Sequence, residues 1–161
     1  MILVDANILV YAHFAHMPSH GKAVEWLNER LNGSTRLGLP WQALLTFVRV
    51  ASNPRAFQRP ESVEGAWDQV EEWLDRQSVW IPKPSERHRE IFGSLLRKTG
   101  SSSNLVPDAH LAALAIEHGL ILCSTDGDFA RFPGLKWENP LSGWRLSEAK
   151  SPARRGGRRA R

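Results

Sequence analysis

The chain predicts an α/β fold built on a mainly parallel sheet, and three observations lead there. Short apolar runs such as ILV at 2–4 and LILC at 120–123 carry no alternating polar face, as strands buried on both sides require. Helical segments of about ten to fifteen residues separate those runs, the order expected of repeated strand–helix–strand units. Acidic residues stand where the runs stop, and the crevice beyond the carboxyl ends of such strands is where ligands bind.

Each element has its own signal. Residues 2–5 (ILVD) are a strand ending on an acid, and a helix follows from about Ile8. Met17-Pro18 breaks the chain. Residues 20–31 place apolar side chains at 24, 27 and 31, a helical spacing, and Asn32-Gly33 stops them. Residues 36–40 (RLGLP) form the next strand. Residues 41–52 (WQALLTFVRVAS) form a largely buried helix that ends at Asn53-Pro54. Pro60-Glu61-Ser62 opens a helix at about 62–76, with apolar residues at 63, 66, 67, 70, 73 and 74. A short strand at 78–82 (SVWIP) precedes a helix at 85–98 capped by Ser85. The run TGSSSN at 99–104 is a loop. Residues 107–118 (PDAHLAALAIEH) form a helix with an early proline, Gly119 just past its end, and Leu111, Leu114 and Ala115 on one face. A buried strand at 120–124 (LILCS), a turn at Asp126-Gly127 and a last strand at 136–138 complete the series. No internal repeat is present.

At 161 residues, with 42% apolar and 24% charged side chains, the chain suits one soluble domain with a real core. A single cysteine, Cys123, excludes an intramolecular disulfide and fits a reducing compartment. The opening MILVDANILVYAH lacks a basic leader and meets an acid at position 5, which argues against a secretory signal. No apolar stretch approaches the roughly 18 residues of a membrane span. The expected location is therefore cytoplasmic, with no membrane association. The formal charge of +4 is uneven: residues 150–161 hold six Lys/Arg and no acid, whereas the remainder carries 15 basic and 17 acidic residues. The reading is a folded domain over 1–145 and a disordered basic tail over 146–161. The tail is either a solvated terminus or a salt-sensitive contact with nucleic-acid phosphates.

Four acids carry the chemistry. Asp5 closes the first strand, Asp108 opens the helix that leads into the LILCS strand, and Asp126 and Asp128 follow that strand. Converging carboxylates repel one another, and a hard divalent cation such as Mg²⁺ or Mn²⁺ relieves that repulsion. Such ions lower the pKa of bound water and offset charge at a phosphoryl group. Each acid also has a purely structural use: Asp5 as a helix cap, Asp108 as a partner of the helix dipole, Asp126 in a turn, Asp128 as a cap at Phe129. Four of them at element ends of one alternating chain favour a metal site.

These residues resemble the PIN-domain ribonucleases of the VapC toxin type. MILVDANILVYA is similar to that family's first motif, an apolar strand ending in Asp with Asn two residues on. NLVPDAHLAALAIEHG at 104–119 resembles the acidic motif with its helix, and LCSTDGDFARFPGLKWENPL at 122–141 resembles the last one. FVRVASNPRAF at 47–57 is also family-like, and the likeness runs over about residues 1–145. It implies a three-layer α/β/α fold and cleavage of an RNA substrate with Mg²⁺ or Mn²⁺. It also implies a cognate VapB-like antitoxin in a type II toxin–antitoxin pair, and a homodimer. Asp5 and Asp108 match the most constant ligands, and Asp126 and Asp128 match the C-terminal acidic pair. Asn7 matches the residue that steadies the first Asp by a hydrogen bond. The family's usual Glu on the helix after the second strand falls at Leu44, and no acid lies between 37 and 60. Gln42 is the nearest polar substitute as a ligand, or else a helix-start residue.

Other candidates are weaker. His13, His16 and His20 straddle Pro18 without a nearby cysteine, so they make no zinc site. His110 and His118 are expected at the surface of the acid-bearing helix, and the seven Trp in the core or a dimer face. Ser124 and Thr125, beside the acids, are placed to orient water or phosphate, Ser124 standing with Asn7 behind the ligands. Arg49, Arg55 and Lys98 are candidates for holding flanking phosphates. Rival readings are a degenerate PIN domain that binds without cutting, an RNA-processing nuclease outside toxin–antitoxin systems, and a phosphatase-like hydrolase. The last would have Asp5 as nucleophile, but Asn7 replaces its usual second Asp.

Overall fold

The computed structural model describes residues 1–99, 103–142 and 147–148. Among the described residues six strands follow one another: β1 (Ile2–Val4), β2 (Leu37–Gly38), β3 (Val79–Trp80), β4 (Ile121–Cys123), β5 (Lys136–Glu138) and β6 (Ser147–Glu148). They lie side by side in the order β3-β2-β1-β4-β5-β6. The first five pair in parallel, with Ile2 opposite both Leu37 and Ile121, and β6 joins β5 antiparallel. The expected mainly parallel sheet is therefore present. Ser147–Glu148, within the segment read as tail, extend its edge. The rest of 143–161 lies outside the described residues.

Six α-helices among the described residues cover the two faces: α1 (Ala6–His13), α2 (His20–Asn32), α3 (Trp41–Ala51), α4 (Val63–Leu74), α5 (His88–Thr99) and α6 (Val106–Glu117). Strand alternation divides the core between them. Ile2, Val4 and Cys123 face a cluster with Ile8 and Leu9 of α1, Leu27 of α2, Leu44 and Phe47 of α3, and Val70 and Trp73 of α4. Leu3 and Leu122 face the other way, toward Leu95 of α5, Leu111 and Leu114 of α6, and Phe129 and Phe132 beyond β4. Helices, sheet and helices make three layers. Among the described residues no helix is long and apolar enough to cross a membrane.

One boundary and one burial pattern differ from the sequence reading for local reasons. Helix α1 starts at Ala6 rather than near Ile8, because Asp5 caps it by accepting from the Ala6 N–H at 2.7 Å. Helix α6 is buried on several faces, through Ala109, Ala112, Ala113 and Ala115 as well as Leu111 and Leu114. It lies between the sheet and α5, and its small side chains allow both approaches.

The topology decides where the site falls. The chain winds outward from β1 in both directions, so β1 and β4 flank the point where strand order reverses. Helices α1 and α3 leave the carboxyl ends of β1 and β2, and α6 runs back against the sheet before entering β4. All three therefore begin at the same edge, and their positive dipole ends meet there.

Candidate active site

Asp5 is the first side chain past β1, and its carboxylate is held from three sides. Oδ1 accepts from Ala6 N at 2.7 Å, while Oδ2 accepts from Asn7 Nδ2 and from Ser124 Oγ, each at 2.8 Å. Ser124, the first residue past β4, is fully buried and uses all its bonding capacity. It donates to Asp5 and accepts from Asn7 Nδ2 at 2.8 Å and from Asp126 N at 3.0 Å. Asn7 completes the knot by accepting from Thr125 N at 3.3 Å. The two strand ends at the switch point are thus tied through Asp5, Asn7 and Ser124.

Asp108 comes from the first turn of α6, and it lines one cleft with Asp5, Gln42, Thr46, Arg49 and His110. The cleft measures about 590 Å³. Among the described residues no hydrogen-bond donor reaches the Asp108 carboxylate. Burial first, then the charges of Asp126, Asp5 and Asp128, push its pKa up to about 6. Burial also pushes Asp5 up, and the Asp126 charge adds to this against the bonds from Ser124 and Ala6. Three helix N-termini favour negative charge here, yet desolvation and mutual repulsion prevail.

The C-terminal pair divides. Asp126 and Asp128 are exposed at the 3₁₀ turn Gly127–Arg131, which Asp126 caps by accepting from Asp128 N through Oδ1 at 2.8 Å. Asp126 acts electrostatically on both Asp5 and Asp108, whereas Asp128 reaches only Asp108 and faces Arg131 at 3.5 Å. The capping and turn roles coexist with the clustering and do not replace it.

Helix α3 supplies no acid. Leu44 is fully buried in the core and does not line the cleft, so a carboxylate at that position would point away from Asp5. The α3 residues on the cleft wall are Gln42, Ala43, Thr46 and Arg49. Gln42 donates to the Pro107 carbonyl at 2.8 Å, which ties α3 to the start of α6 and leaves its amide oxygen for another partner. Arg49 is exposed at the cleft rim and makes no ion pair among the described residues. Arg55 and Lys98 are exposed and do not line the cleft.

The histidines near the N-terminus have separate partners. His13 approaches Glu61 at 3.4 Å, His20 meets the Tyr11 carbonyl at 3.0 Å, and His16 packs on Phe14 and Phe57. His110 differs from its expected surface position. It is half-buried, faces the cleft and bonds to His88 of α5, which in turn bonds to Glu117. The sequence reading missed His88 and Glu117. The available signal was the seven-residue spacing of His110 and Glu117, which puts both on one helix face.

The donor set suits a hard divalent ion: the carboxylate oxygens of Asp5 and Asp108, the amide oxygens of Gln42 and Asn104, and no lysine in the cleft. Among the described residues no group of three or more His, Cys, Asp or Glu is placed to hold a metal ion by itself.

The PIN domain family model matches residues 2–135. Ribonuclease VapC37 of Mycobacterium tuberculosis is 43% identical over 140 residues, covering 87% of this chain and 97% of that protein. Ribonuclease VapC33 of the same species is 40% identical over 141 residues, covering 88% of this chain and 99% of that protein. Among solved structures, VapBC2 from Rickettsia felis, bound to a promoter DNA fragment, aligns with a TM-score of 0.61 at 24% identity, covering 86% of this chain and 98% of that chain. FitAcB from Neisseria gonorrhoeae aligns with a TM-score of 0.63 at 18% identity, covering 88% and 99%. These two share the fold. The chain belongs to the PIN-domain family, on its VapC ribonuclease branch.

Proposed function

We propose that this chain is the toxin of a type II toxin–antitoxin pair and an endoribonuclease whose cut depends on Mg²⁺ or Mn²⁺. The observation that carries the reading is the cleft shared by Asp5 and Asp108, where burial first and then repulsion push the Asp108 carboxyl up to about 6. A divalent ion bound there supplies an activated water and offsets charge at the scissile phosphate. Asp5, Asp108 and Asp126 would hold it, with the Gln42 amide oxygen as a further donor. Asp128 contributes charge from the turn. Asn7 and Ser124 fix the Asp5 carboxylate so that its free lone pair on Oδ1 keeps one direction. Arg49 at the rim pairs with a flanking phosphate.

The test uses the purified chain, free of any antitoxin, with structured RNAs and Mg²⁺ or Mn²⁺. Cleavage is expected, and it should vanish with EDTA and in Asp5→Asn and Asp108→Asn. Cleavage that survives either treatment overturns the reading. One observation favours a second reading, a domain that grips RNA without cutting: α3 brings no carboxylate to the cleft. Intact RNA with measurable affinity under metal-replete conditions would establish it. A VapB-like antitoxin partner and a homodimer follow from the family, and the solved VapBC2 complex supports the first. Co-purification with the product of a neighbouring small reading frame tests the antitoxin, and light scattering tests the dimer. Absence of such a frame points instead to RNA processing outside toxin–antitoxin systems.

A further inference from the structure

A second polar chain ends in the same cleft. Ser85 donates to Glu117 Oε2 through its hydroxyl at 2.7 Å and its backbone N–H at 3.3 Å. The Glu117 side chain is 0% exposed, and its Oε1 meets His88 Nδ1 at 3.1 Å. His88 Nε2 then meets His110 Nδ1 at 3.0 Å. The rings are braced by Phe92, stacked on His88 at 5.7 Å and edge-on to His110 at 6.1 Å.

For neutral rings, hydrogen-bond arithmetic sets what this chain presents. A carboxylate only accepts, so His88 Nδ1 carries the proton that faces Glu117. With both rings neutral, His88 Nε2 is a lone pair and accepts from the Nδ1–H of His110. The remaining His110 nitrogen, Nε2, is then a bare acceptor on a ring held in the cleft wall beside Asp108. The sugar–phosphate backbone of a nucleic acid offers few donors. Phosphate oxygens accept, and deoxyribose has none. The ribose 2′-hydroxyl is the backbone donor that separates RNA from DNA.

We propose that His110 reads the sugar: its Nε2 accepts a hydrogen bond from a ribose 2′-hydroxyl of the strand in the cleft. The inference rests on the nuclease reading for its substrate. His88 and Glu117 act through His110 as positioning residues that fix its tautomer and ring orientation.

The test is a set of short RNAs, each with one 2′-deoxy nucleotide, walked across the cleavage position. In wild type, removing one particular hydroxyl should lower kcat/KM about five- to tenfold, the worth of one hydrogen bond. His110→Asn keeps an amide N–H where Nδ1 donates to His88 but has no acceptor at the Nε2 position, so it should be insensitive to that deletion. His110→Gln places an oxygen near the Nε2 position and should keep the sensitivity. A role confined to bracing His88 predicts the opposite order. Equal sensitivity in wild type and His110→Asn, or no position-specific loss in wild type, overturns the inference. Binding of a labelled strand in ribose and deoxyribose forms, read by anisotropy in Ca²⁺, separates it from the nuclease reading. If no RNA is cut but a ribose preference exists and His110→Asn abolishes it, only the nuclease reading fails. If RNA is cut and the preference is unchanged by His110→Asn, only the sugar contact fails.

Discussion

Asp108 sits where a helix dipole favours an anion, yet its carboxyl is pushed up from 3.8 to about 6. A raised acid holds its proton more tightly in the fold than in the unfolded chain. The fold is therefore favoured by this group below about pH 4 and loses that contribution as pH rises through about 6. Because Asp108 is only half-buried, solvent screening reduces the effect to about 1 kcal/mol. Asp108→Asn should accordingly raise unfolding stability by about that amount at pH 7.5 in urea titrations, with the gain disappearing near pH 4. The same variant should lose the rise in Tm that Mg²⁺ or Mn²⁺ gives the wild type. A second pair of substitutions concerns the acid absent from α3. Thr46 lines the cleft with Asp5, so Thr46→Glu should tighten Mn²⁺ binding about tenfold or more in calorimetry, as an added carboxylate ligand does. Leu44→Glu should instead cost about 3 kcal/mol or more, because it buries an unpaired charge in the core. If the two variants behave alike, the assignment of the cleft-facing side of α3 is wrong.

At the scale of elements, much of the architecture was legible and the reasons are local. Strands β1 and β4 announce themselves by apolar runs without a polar face, and α6 by its early proline and following glycine. Gly119 adopts φ +64°, the left-handed C-cap conformation its position implied. Gly119→Ala should cost about 1 kcal/mol in urea unfolding without moving metal affinity, since it strains the cap and leaves the cleft alone. What stayed hidden depends on distant pairings. The side of α3 that faces Asp5 is decided by how that helix packs on α1 and α4, so anchoring by motif alone put the missing acid at Leu44. His88 reaches His110 from another helix, 22 residues away, and no local pattern encodes that bond. Ser124 looked like one more hydroxyl near the acids. Its place between Asp5, Asn7 and Asp126 follows only from β1 pairing with β4. Ser124→Ala would remove the acceptor that Asn7 Nδ2 and Asp126 N share and should cost about 1 kcal/mol, with kcat falling as Asp5 loses one of its three anchors.

For the whole molecule, the distribution of charge sets a problem that the site cannot solve alone. The chain outside residues 150–161 carries 15 basic and 17 acidic residues, and its cleft gathers carboxylates, while the proposed substrate is a polyanion. A bound divalent ion neutralises the centre, but it attracts phosphates only at short range. Arg49 is the single cation lining the cleft among the described residues. The six Lys/Arg of 150–161 are the densest positive charge in the sequence. If they meet RNA phosphates, each contact releases counterions and steepens the salt dependence of binding by roughly 0.7 in log–log slope for a single strand. A chain ending at residue 149 should bind RNA more weakly at 50 mM salt and nearly as well as the full chain at 500 mM. Its kcat should be unchanged, because the tail acts on encounter and not on the reacting phosphate. Equal salt slopes for the two chains would make the tail a solvated terminus and leave Arg49 and the metal to capture the strand.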